Sequence, residues 1–163
     1  MSNPASTLSP AAVAALRNHP GFPPAAREAA RSLIPLYRSD RLLNALMSDR
    51  ARAVFAHVAL FLHYRGSDNG EPGLTAGAMK DVCVQLKLCS RGRCEAMLAL
   101  MRAAGFFVAS PRHDRRRRPF APTEKLFALH RERWGSHFEA MRHVAPRAEY
   151  WQTALATNAD FLN

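Results

Sequence analysis

The chain has 163 residues, 48% of them hydrophobic and 22% charged, the proportions of one globular domain rather than of a disordered chain. No apolar run approaches the roughly 18–20 residues of a membrane span, and no basic segment leads into an apolar one at the start. Three cysteines cannot build a disulfide framework and fit a reducing, cytoplasmic setting, while 23 Lys and Arg against 13 Asp and Glu leave a net charge of +10. Such a charge attracts polyanions without choosing among DNA, RNA, a membrane surface or an acidic protein.

Residues 1–30 read as a partly disordered extension. Residues 11–18 have weak helical character, and the three prolines and one glycine of 19–24 exclude regular structure there. Residues 25–47 read as helix, with a break expected at Pro35; of these, 31–48 form an N-terminal dimerisation segment. Ser48 or Asp49 can cap a helix over 50–64, whose Val54, Phe55, Val58, Leu60, Phe61 and Leu62 cover more than one face and predict a central helix. Residues 66–73, rich in glycine and polar side chains, read as a loop.

Thr75 then caps a short helix to about Leu86, with Met79, Val82, Cys83 and Leu86 on one face. A brief turn leads to Ser90, the cap of a helix over 91–104 that buries Cys94, Met97, Leu98 and Met101 and stops at Gly105. Residues 106–110 form a short strand, 111–119 a basic loop and 120–122 a weak return strand. Thr123 caps a long helix over 124–144, and a last helix covers 147–160; residues 123–163 read as C-terminal dimerisation helices.

The charge is local. Residues 86–118 hold nine basic side chains against Glu95 and Asp114, so these 33 residues carry +7 of the +10. Arg115, Arg116, Arg117 and Arg118 are consecutive. Taken alone such a run is a solvated loop, but here it tips a hairpin that follows a helix–turn–helix. The fold class is therefore mainly α, a winged helix-turn-helix over residues 49–122 with flanking dimerisation helices. The second helix has a small-residue outer face, which suits entry into a major groove about 12 Å wide. Its first turn offers Ser90, Arg91, Gly92 and Arg93 to phosphate. The hairpin carries Arg112, Arg115, Arg116 and Arg117 to the flanking backbone or minor groove.

Residues 74–126 resemble the multiple-antibiotic-resistance regulator (MarR) family of bacterial transcription factors. The resemblance rests on Ser90 opening a Leu-rich helix that ends at Gly105, on Asp114 with Arg116 in the wing, and on Thr123-Glu124-Lys125 opening the next helix. It extends more loosely to residues 31–64 and 124–162. The sequence departs from the family at Ala96, where an arginine is frequent, in a turn one residue longer before Ser90, and in a shorter, more arginine-rich wing. The resemblance implies a homodimer that reads a near-palindromic operator on double-stranded DNA, and the function expected is a sequence-specific transcriptional regulator, a repressor. In it Arg116 would enter or flank the minor groove, Asp114 would brace the wing, and Arg91, Gly92 and Arg93 would open the major-groove helix; Ser90 and Thr75 are further expected to donate to the DNA backbone. It also implies a cavity for a small aromatic effector, lined by Tyr37, Phe55, Phe61 and Trp134; at helical spacing, Phe127, Trp134, Phe138 and Met141 are more simply a dimer core.

Other chemistry has weaker support. Cys83 and Cys94 fall on apolar faces, where cysteine behaves as a small hydrophobe. Cys89, near Lys87, Arg91 and a helix start, is the candidate redox thiol. The histidines lack metal-ligand spacing: His130 and His137 are seven apart, and His57 and His63 straddle another helix. No nucleophile–base motif, phosphate loop or paired carboxylate points to an enzyme, and no metal or cofactor is implied. The alternative function is a winged-helix interaction module that presents its basic face to an acidic partner.

Overall fold

The structure, a computed structural model, describes residues 9–39, 50–69, 73–110 and 119–158. Among them the chain is mainly helical, with one two-stranded antiparallel sheet. The order is α1 (Pro10–Asn18), α2 (Phe22–Ser39), α3 (Arg50–Asn69), α4 (Ala76–Gln85), α5 (Arg91–Ala103), β1 (Phe107–Ala109), β2 (Phe120–Pro122), α6 (Glu124–Met141) and α7 (Arg147–Thr157). The described residues belong to two compact units, one within Met1–Pro35 and Arg131–Leu162, the other within Leu36–His130. No helix among them is long and apolar enough to cross a membrane.

In the unit containing α4 and α5, the core is built on α3. Phe55, Ala59 and Leu62 of that helix are buried together with Leu74, Met79 and Cys83, and with Cys94, Met97, Leu98 and Met101 of α5. All four α5 positions expected to be buried are buried, because 3- and 4-residue spacing puts them on one face. The strands pair Phe107 with Pro122, Val108 with Ala121 and Ala109 with Phe120. Phe107 points inward and Val108 outward, as strand alternation requires. The pair is anchored to the chain before α4 by the Phe120 amide, which donates to the Leu74 carbonyl at 2.7 Å.

In the other unit, Ser9 caps α1 by accepting from the Ala12 amide at 3.1 Å, with Pro10 in the first turn. Gly21 packs on the end of α6: a β-carbon there would lie 1.8 Å from the His143 carbonyl oxygen, so only glycine fits. Phe138 is buried between Trp134 and Trp151, at ring separations of 5.6 and 5.9 Å.

Several boundaries differ from the sequence reading. Residues 10–18 are helical, in line with the weak helical character read there, and α2 begins at Phe22, three residues before the predicted start. Pro23 and Pro24 do not exclude helix, because they occupy the first turn of α2, where amides have no intrahelical partner; the first such bond runs from Ala25 to Gly21. α2 also continues through Pro35 to Ser39. α3 runs to Asn69, through Gly66, where the chain at Gly73 lies against its backbone. α6 stops at Met141, closed by the Val144 and Ala145 amides on the Met141 carbonyl. α7 ends at Thr157, with Asn158 extended, short of the predicted 160, while Ser48 and Asp49 lie outside the described residues.

Candidate nucleic-acid interface

Two helix endings of the same design set the geometry of α4 and α5. At the end of α4 the Leu88 amide bonds the Cys83 carbonyl at 2.8 Å and the Lys87 amide bonds Val84 at 3.0 Å. At the end of α5 the Phe106 amide bonds Met101 and the Gly105 amide bonds Arg102, both at 2.9 Å. This Schellman arrangement needs a left-handed residue just beyond the cap. Gly105 supplies it with φ 75°, and Lys87 supplies it with φ 54°.

Both helices start on side-chain caps. Thr75 Oγ1 accepts from the Ala78 amide at 3.1 Å, and Ser90 Oγ accepts from the Arg93 amide at 3.3 Å. Thr75 is buried, and its hydroxyl accepts as the cap of α4. Ser90, Arg91, Gly92 and Arg93 are all exposed, and a β-carbon at Gly92 would meet nothing within 4 Å. Beyond them Ala96, Ala99 and Ala103 continue an exposed face of small side chains along α5.

Two ion pairs cross from α4 to α5. Arg91 pairs with Asp81, each side chain 64% exposed, and Lys80 pairs with Glu95 at 2.9 Å. Consecutive residues of one helix thus hold residues one turn apart on the other. Neither pair was expected: the sequence shows the charges, but only the crossing of the helices makes them partners. Arg91 is therefore a tethered cation. Arg102 lies over the Phe120 ring at 5.3 Å.

The start of α6 locks the other end of α5. Lys125 Nζ donates to the Ala104 carbonyl at 3.0 Å and lies 4.8 Å from the Phe106 ring centre. Thr123 does not use its hydroxyl as the expected N-cap; it donates to the Gly105 carbonyl at 2.7 Å, while its own carbonyl accepts from Leu126. Orphan carbonyls at the end of α5 are thereby satisfied.

The hairpin is closed by the Ser110 amide donating to the Pro119 carbonyl at 2.9 Å. Arg112, Asp114, Arg115, Arg116 and Arg117 belong to the segment that joins these two residues, and they lie outside the described residues.

The remaining candidates separate. Phe55 is 1% exposed and belongs to the core, whereas Phe61 is 57% exposed. Six residues apart on one helix, they face different sides and do not line one cavity. Trp134 is half-buried against Phe138, and the side chain of Tyr37 lies outside the described residues. Phe138 is buried within its own chain, and Phe127 packs near Tyr64. A cleft of about 300 Å³ is lined by Glu139, Arg142, His143, Pro146 and Glu149, a charged rather than aromatic set. There the Gln152 amide and Arg142 hold the Glu139 carboxyl below its ordinary range.

Cys83 and Cys94 are fully buried, and burial pushes both thiols up, Cys83 further through its neighbours Cys94 and Cys89. Such thiols stay protonated and unreactive at neutral pH. Cys89 is half-buried. His130 is buried, with its ring edge-on to His57 at 4.9 Å, while His137 is exposed. Among the described residues no group of three or more His, Cys, Asp or Glu is arranged to hold a metal ion.

No family model matches the chain, and no curated protein or solved structure matches it either.

Proposed function

We propose that α4, α5 and the β1–β2 hairpin form a winged helix-turn-helix, and that the protein is a DNA-binding transcriptional regulator acting as a repressor. It binds a near-palindromic operator as a homodimer, as its resemblance to the MarR family implies. The observation that carries the reading is one of juxtaposition. A capped helix with an exposed face of small residues, Gly92, Ala96, Ala99 and Ala103, is followed by a hairpin whose connection holds five arginines. The small face lets a helix approach base edges closely, and arginines on a hairpin neutralise flanking phosphates.

In this reading α5 enters the major groove with Ser90, Arg91, Gly92 and Arg93 at its leading end. Arg115, Arg116 and Arg117 grip the neighbouring backbone. Thr123 and Lys125 hold the far end of α5 against the strands, so the helix and hairpin meet DNA as one body. Footprinting on the promoter beside the protein's own gene, with random duplex as competitor, tests the proposal. Protection of a near-palindrome at moderate salt is the expected result. No protection, together with capture of an acidic protein, would favour the interaction-module reading.

A further inference from the structure

We infer that Glu95 reads a base, selecting cytosine in each half-site through its carboxylate, with Lys80 as its positioning residue. The inference rests on the DNA-binding reading above.

Glu95 is the acidic residue of α5, and its side chain is 70% exposed. Its neighbours on the outer face, Gly92, Ala96 and Ala99, are small and exposed, so they leave the carboxylate open to a partner beyond the helix. A negative charge on a helix that meets DNA works against phosphate attraction. That makes it a poor surface choice unless it has a partner on each side. Lys80 is the partner on the protein side: its Nζ is 2.9 Å from Glu95 Oε2, and it is 22% exposed, behind the carboxylate. It neutralises the charge and restricts where the carboxylate can point. An exposed pair of this kind contributes little to stability, so folding alone gives the arrangement little purpose.

On the DNA side a carboxylate can only accept. In the major groove cytosine presents a donor at N4, while guanine and thymine present acceptors that repel a carboxylate. Adenine has a donor at N6 but an acceptor at N7 beside it, which opposes the second carboxylate oxygen. Cytosine is the base that fits.

The test is selection of binding sites from a random-core duplex pool by the full-length chain and three variants. Wild type should prefer cytosine at one position of each half-site, by about tenfold over the other bases. Glu95→Gln presents a donor and an acceptor together, the pattern that pairs with adenine, so the preference at that position should move from cytosine to adenine. Glu95→Ala should abolish the preference there and leave the other positions intact. Lys80→Met should weaken it severalfold with Glu95 in place, an effect that loss of a stabilising contact alone does not produce. An identical motif for wild type and Glu95→Ala overturns the inference while leaving DNA binding intact. Failure of wild type to retain any duplex overturns the DNA-binding reading, and this inference with it.

Discussion

Lys87 and Gly105 occupy equivalent positions at the ends of α4 and α5, one residue beyond the cap, with φ of 54° and 75°. A left-handed backbone costs an L-residue roughly 1–2 kcal/mol, a cost glycine does not carry. Glycine in turn loses more freedom on folding, by about 0.5–1 kcal/mol. Taking one from the other, Lys87→Gly should stabilise the protein by ~0.5–1 kcal/mol, and Gly105→Ala should destabilise it by a similar amount. No atom lies within 4 Å of a β-carbon at 105, so the second effect is backbone strain without a clash. Lys87→Ala keeps the strain and removes the charge, which makes it the control and leaves stability nearly unchanged. Urea unfolding followed by circular dichroism reads all three, and a constant m-value shows that stability alone has moved. In heat, each kcal/mol corresponds to about 2–4 °C for a chain of this size. A destabilised Lys87→Gly, or a Gly105→Ala variant that melts with wild type, would refute the reasoning.

Four further outcomes follow from packing and charge. Phe55→Ala should cost about 3–5 kcal/mol in urea unfolding, as deletion of a buried aromatic does, while Phe61→Ala should change stability by under ~0.5 kcal/mol. Native protein should expose one reactive thiol, Cys89, to a chromogenic disulfide reagent at pH 8, with Cys83 and Cys94 reacting only in denaturant; labelling of all three at one rate would contradict their burial. The raised thiols also set a pH dependence. Stability is level below the unfolded thiol value of about 8.5 and falls as pH rises above it, because the unfolded chain then loses protons that the folded one keeps. Cys83→Ala should flatten that fall in urea midpoints measured from pH 7 to 10. Asp81→Asn removes the carboxylate that competes with phosphate for Arg91 and should tighten duplex binding, with the number of phosphate contacts and so the log–log salt slope little changed; an affinity equal to wild type would mean that Asp81 does not restrain Arg91.

What the sequence made legible was local. Thr75 and Ser90 announce helix starts, Gly105 announces a stop, and the spacing of Cys94, Met97, Leu98 and Met101 identifies a buried face. Each of these signals acts within a few residues, and each matches the structure. The strand pairing after Gly105 was legible for the same reason. The prolines misled because their meaning depends on position: Pro23 and Pro24 in a first turn cost nothing that a breaker in mid-helix would cost. The extension of α3 through Gly66 was not legible, since a glycine reads as loop until the chain at Gly73 is found lying on it. The same limit applies to the site. Arg91 was visible as a cation near a helix start, but its tether to Asp81 depends on how two helices cross. Phe55 and Phe61 both read as cavity residues, and only the orientation of α3 separates core from surface.

The central claim is that the α5 start and the arginine-rich hairpin grip duplex DNA. The most direct measurement is duplex affinity across salt concentrations for wild type, Arg116→Ala and Arg91→Ala. The account predicts that log K falls linearly with log salt, and that each variant binds more weakly with a slope shallower by about 0.9 per lost phosphate contact. Equal affinities and equal slopes for all three proteins would contradict it.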